Sequence, residues 1–299
     1  GFSLPKENLK SDMHRGFDAS IMWTDQINDF NYSVGGNITY SRFWDWEQYK
    51  PRFSNSWDEY RNSIWHRVGY VNWGYEAIGR FDSWEQIANY PVDNDRKGNR
   101  TVVPGDIMYK DQNNDGVINY LDEHPIGYRV DSTPTLNFGI NLSASWKGFD
   151  LAMDWTGSGM TSWNQCYETA RPFQNDGNSP DEVLKDAWHL SDIWDANSPL
   201  IPGKYPMVRL NTDETSAYDK SSYWLHNVTY LKLRNLEVGY TFPKTWLNRT
   251  GISNLRLFVS GTNLLTLSNL SVMDPECASD NGLDYPPMRV INIGVNLKF

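Results

Sequence analysis

Residues 135–156 read T-L-N-F-G-I-N-L-S-A-S-W-K-G-F-D-L-A-M-D-W-T. Leu136, Phe138, Ile140, Leu142, Ala144 and Trp146 alternate without a miss against Asn137, Gly139, Asn141, Ser143 and Ser145. After Lys147-Gly148 the pattern restarts, with Phe149, Leu151, Met153 and Trp155 against Asp150, Ala152 and Asp154. A period of two puts alternate side chains on opposite faces of a strand. Two such runs joined by two residues form a β-hairpin.

The same period recurs outward from this hairpin. Phe17, Ala19, Ile21 and Trp23 alternate with Asp18, Ser20, Met22 and Thr24; a turn at 25–29 follows, and then Phe30 to Ser41 return in the same manner. Downstream, Leu236, Val238, Tyr240 and Phe242 share one face, then Leu255, Leu257 and Val259, then Ile291, Ile293, Val295, Leu297 and Phe299. That makes seven strands. Leu231 and Leu233 have the opposite parity to Leu236, so a bulge is expected near Arg234-Asn235.

A soluble sandwich also has half-buried strands, and three further features favour a barrel. Aromatics gather at strand ends: Trp146 and Phe149 flank one turn, Trp23 and Phe30 another, and Tyr240 and Phe242 a third. Connections alternate between short (25–29, 147–148, 244–252) and long (44–134, 165–229, with 268–286 intermediate). The polar face is mostly Asn, Ser, Gly and Thr, as suits a wet lumen. Outer-membrane barrels share this pattern of girdles, short periplasmic turns and long outer loops. The expected fold class is therefore all-β, an antiparallel transmembrane β-barrel. Seven strands are an odd number and leave open edges, so the chain is expected to be the C-terminal part of a larger barrel. It opens at Gly1-Phe2 with neither an initiating Met nor a signal peptide, as expected of a piece of something longer.

Composition narrows the function. The 299 residues carry 27 Lys and Arg against 37 Asp and Glu, a net charge of −10, which disfavours nucleic acid as a partner. The 14 Trp, 17 Tyr and 12 Phe exclude a disordered acidic tail. No apolar run approaches the roughly 20 residues of a spanning helix. The five His show no metal spacing, and neither a nucleophile elbow nor a phosphate loop is present, so the chain reads as a non-enzyme.

Counting back from Phe299 at the periplasmic end places 1–12, 44–134, 165–229 and 268–286 outside the cell. Cys166 and Cys277 then lie in an oxidising setting, where a disulfide between them is a reasonable hypothesis. Residues 111–122, D-Q-N-N-D-G-V-I-N-Y-L-D, follow the calcium-loop pattern D-x-[DN]-x-[DN]-G. Asp111, Asn113 and Asp115 supply hard oxygens at positions 1, 3 and 5, the Val117 carbonyl stands at 7, and Gly116 permits the turn. Asp122 replaces the usual bidentate Glu at 12, so weak Ca2+ binding, suited to external calcium, is expected. Trp44, Trp46, Trp57, Trp65, Trp73 and Trp84 in the first long loop, with Trp188, Trp194 and Trp224 in the second, suit sugar or peptide contacts. The alternative, favoured for most of them, is that these rings form small cores that hold the loops.

Several segments resemble the SusC-like TonB-dependent transporters. They are PGDIMYKDQNNDGVINYLDEHPIGY at 104–128, YLKLRNLEVGYTFP at 230–243, and NLLTLSNLSVMDPE at 263–276, where Met273 stands in place of a usual Gly. KGFDL at 147–151 and the terminal Phe299 fit as well. The resemblance implies a barrel of about 22 strands in outer-membrane lipid, with a plug and TonB box in a missing N-terminal part. It further implies a SusD-like lipoprotein at the extracellular face and an oligosaccharide or peptide as cargo. The competing expectations are a soluble calcium-stabilised β-sandwich that binds carbohydrate, and a barrel adhesin.

Overall fold

The computed structural model describes residues 8–48, 52–129, 133–210, 214–248, 251–277 and 281–299. Seven long strands form its frame: β1 (Lys10–Ile27), β2 (Phe30–Gln48), β3 (Leu136–Trp146), β4 (Phe149–Asn164), β5 (Leu225–Thr241), β6 (Asn254–Ser268) and β7 (Val290–Lys298). Each pairs antiparallel with its sequence neighbour, so the sheet runs in simple chain order from β1 to β7. All seven strands read from periodicity are present. No helix among the described residues is long and apolar enough to cross a membrane.

The turns obey local backbone chemistry. Ile27 pairs with Phe30 around Asn28-Asp29, with Asn28 at φ 54°. Trp146 pairs with Phe149 around Lys147 (φ 47°) and Gly148 (φ 93°), the two positive values that a type I′ hairpin turn requires. The expected bulge is real: register slips between Leu233 and Asn235 on both sides of β5. The extra residue, Arg234, resets parity, so Leu231 and Leu233 continue the apolar face of Leu236 and Val238.

Strand length corrects the expected loop boundaries. Apolar alternation ends near residue 41, but β2 runs on to Gln48, which puts Trp44 and Trp46 on the strand rather than in a loop. Of the expected outer segment 1–12, Lys10–Asp12 already belong to β1, and residues 1–7 lie outside the described residues. β4 ends at Asn164, just where the loop was expected to begin, whereas β5 reaches back to Leu225, so residues 225–229 are strand rather than loop. At about 3.4 Å per residue, strands of 18 and 19 residues outreach the 9–11 that a tilted strand needs to span hydrocarbon.

The sheet's apolar face is bare. Ile21 is 76% exposed and Ile293 84%, and Trp23, Val34, Val238, Leu257 and Val259 are exposed as well. Near the short turns a belt of rings crosses the strands, with Phe149 4.6 Å from Tyr240 and Tyr240 5.1 Å from Phe242. The packed core lies elsewhere, among the long connections. Tyr75, Ile107, Tyr109 and Ile118 of the first interlock with Val183, Tyr205, Ala217 and Trp224 of the second. A satellite of Phe81, Ile87 and Val102 lies within the first.

Candidate functional site

The calcium-type loop has a defined shape. Gly116 takes φ +84°, the left-handed backbone expected at position 6. Asp111 accepts from the Gly116 amide at 2.8 Å, Asn113 from the Asp115 amide at 2.9 Å, and Asp115 from the Val117 amide at 2.9 Å. Hydrogen bonds from the Asn113 side chain and the Val117 amide hold the Asp115 carboxyl below its ordinary value. Gly116 and Ile118 bracket a bridge to Asp93, and Ile118 is fully buried in the loop core. The structure therefore draws Asp111, Asn113 and Asp115 together ahead of the Val117 carbonyl. It sends Asp122 elsewhere: that side chain is fully buried and accepts from the amides of Gln112 and Asn119, each at 2.8 Å. Among the described residues no three His, Cys, Asp or Glu side chains form a metal cluster.

A second constellation was not read from the sequence. Lys232 on β5 is 1% exposed, and its ammonium meets both oxygens of Asp274 at 2.7 Å and Glu276 Oε2 at 2.9 Å. Arg234, two residues on, also pairs with Glu276 and donates to Asn263 Oδ1 at 2.9 Å. Leu270, Val272 and Met273 pack against Trp163, Val228 and Tyr230. The segment after β6 thus folds down over the polar face of β5, and the ion cluster joins the YLKLRN and DPE stretches. The available signal was a pair of cations at lumen parity, Lys232 and Arg234, on a face made mostly of Asn, Ser, Gly and Thr.

Lower on the same face, Arg256 of β6 pairs with Asp150 of β4 and Glu237 of β5. A Cβ on Gly239 would collide with the Arg256 guanidinium, so the glycine of the LEVGY stretch makes room for it. Further polar pairs cross the strands: Asn141 donates to the Asp154 carboxylate at 2.7 Å and Ser158 to Asn137 at 2.7 Å. One face is apolar and bare, and the other is polar and hydrogen-bonded across strands.

The loop tryptophans divide. Trp73, Trp188 and Trp224 are buried, which bears out a packing role for these three, whereas Trp65, Trp84 and Trp194 are exposed. The proposed disulfide is corrected: Cys166 and Cys277 are both thiols. Each is tied to a different anchor, Cys166 to the turn after β4 through Thr169 and Cys277 to the DPE turn through Asp274. Burial, reinforced by the Asp274 charge, pushes the Cys277 thiol up.

No protein-family model matches the chain. Among curated proteins, TonB-dependent receptor P3 of Formosa agariphila is 30% identical over 242 residues, 75% of this chain and 22% of that protein. TonB-dependent receptor SusC of Bacteroides thetaiotaomicron is 24% identical over 252 residues, 78% of this chain and 20% of that protein. The solved RagAB peptide transporter shares the fold, with a TM-score of 0.64 at 22% identity over 98% of this chain and 30% of that one. The chain therefore spans between a fifth and a third of the length of these relatives. Seven consecutive strands of alternating polarity, joined by long packed loops and matched by these relatives, place the chain in the SusC-like TonB-dependent receptor family.

Proposed function

We propose that this chain supplies part of the barrel wall and outer loops of an outer-membrane importer for oligosaccharides or peptides. The observation that carries the reading is the two-faced sheet: a bare apolar band with ring belts on one side, and a hydrogen-bonded polar surface on the other. Such a sheet suits lipid outside and a wet passage inside. On this reading the long loops lie outside the cell, the short turns and the C-terminus face the periplasm, and a SusD-like lipoprotein seats on the loops. TonB acts through parts of the protein beyond this chain, and no covalent chemistry is assigned to it. The peptide alternative draws on the name of the RagAB transporter, and the glycan alternative on the exposed loop tryptophans.

Calcium belongs to the same proposal. Asp111, Asn113, Asp115 and the Val117 carbonyl hold the ion, and Asp122 shapes the loop from beneath. The ion's service is to brace the first long loop.

The test uses the complete transporter. Epitopes inserted at 195–197 are expected to be labelled on intact cells, whereas one at 147–148 is labelled only after the outer membrane is opened. Uptake of labelled oligosaccharide or peptide pools is expected to stop when TonB is deleted. Recovery of the protein in the soluble fraction without detergent would favour the sandwich, and surface labelling without TonB-dependent uptake of either pool would favour the adhesin.

A further inference from the structure

Where the two long loops meet there is a cleft of about 370 Å3 backed by Trp73 and Tyr75. Its polar wall holds three cations, Arg61, Arg96 and Lys220, and two carboxylates, Glu123 and Asp219. In a chain of net charge −10 this pocket carries a formal +1.

The pairs inside it are unequal. Arg96 is bound closely to Asp219 and joins one loop to the other. Arg61 directs Nε and Nη2 to a single Glu123 oxygen, each at 3.3 Å. That is long for a charge-assisted bond, which closes at about 2.7–2.9 Å. The Arg61 guanidinium carbon also lies over the Trp73 ring, 4.5 Å from its centroid, a cation–π contact that helps hold the group in the cleft. A planar, pre-oriented guanidinium that is only loosely matched to its own carboxylate is a ready bidentate partner for a better-placed one.

We infer that this cleft is a binding subsite for a carboxylate group of the transported ligand, gripped by Arg61 with Arg96 and Lys220 behind it. A monoanion suits the formal +1, whereas a phosphate dianion would meet Glu123 and Asp219 with an excess of negative charge. The same carboxylate chemistry occurs in a uronic-acid sugar and at a peptide C-terminus. The inference rests on the importer reading and deepens its substrate class.

The test is binding to the complete, detergent-purified transporter of four probes: trigalacturonate, its methyl ester, trialanine and trialanine amide. At least one acid is expected to bind about tenfold more tightly than its neutral partner, and which acid does so identifies the source. Arg61→Gln is expected to erase that preference and Arg61→Lys to keep part of it. Glu123→Gln, which removes the competing carboxylate and leaves every cation in place, is expected to tighten acid binding severalfold. Equal binding of acid and neutral probes to the unmodified protein, or an unchanged preference in both Arg61→Gln and Glu123→Gln, overturns the assignment. Uptake separates the two proposals. An acid preference without TonB-dependent uptake defeats the importer and leaves the subsite, whereas TonB-dependent uptake indifferent to the carboxylate does the reverse.

Discussion

Asp95 shows how single carboxylates stiffen the outer loops. Its Oδ1 accepts from the amides of Lys97 and Asn99, both at 2.8 Å, and its Oδ2 from the amide and hydroxyl of Thr101, both at 2.7 Å. Burial by itself would raise this acid, but the Thr101 and Lys97 donors outweigh it and hold the value down to about 2. A depressed acid contributes stability that is present above its unfolded value, about 3.9, and lost as pH falls through the folded one. The 93–101 turn should therefore stay protected from hydrogen exchange down to about pH 4 and open between there and about pH 2. Asp95→Asn should cost about 2 kcal/mol locally and flatten that acid response; an unchanged exchange profile would refute the account. The calcium-type loop is tested at the same scale. Removing calcium with a chelator should raise exchange across 111–122, and Asp111→Asn should weaken metal retention about tenfold while leaving Asp122's bonds to Gln112 and Asn119. Equal exchange with and without calcium would reject the ion.

At the scale of elements, the segment after β6 is held by charge and β5 by register. Lys232 faces two carboxylates at near-zero exposure, and removing one partner from such a cluster costs about 3–5 kcal/mol, because it leaves buried charge uncompensated. Lys232→Met should therefore release the 269–277 segment and expose it to protease. Adding Asp274→Asn to that variant should restore much of the protection, since Glu276 keeps its pair with Arg234 and the orphaned Asp274 charge is then gone. A double variant as labile as the single one would show that packing by Leu270 and Met273 governs the segment instead. The bulge in β5 was legible beforehand, because a parity slip shows in the residues themselves. Its partner on β6 was not: Asn263, at φ 54°, lies opposite Arg234 and accepts from it, a pairing that needs both strands in register.

For the whole molecule, topology and edges matter most. Strand order follows chain order, and among the described residues β1 and β7 each leave one side unpaired. Open edges beside a bare apolar face invite association. The 34.6 kDa chain refolded alone in detergent should therefore elute in light scattering as higher oligomers, and as a single species only when the remaining strands of the receptor are supplied. A monodisperse monomer with protected β1 and β7 amides would contradict this.

The strands, their two faces, the tight turns and the slip in β5 were all present in the linear pattern, because side-chain parity and turn backbone are local properties of a few adjacent residues. The long connections were not legible in the same way. Arg96 meets Asp219 across 123 positions, Asn94 meets Ser216 across 122, and Lys232 reaches Asp274 across 42. Only the folded chain shows that Asp122 turns onto backbone amides, that the two cysteines are not bonded to each other, and that three cations share one cleft. Those outcomes depend on which distant groups burial brings together, and neither spacing nor composition carries that information.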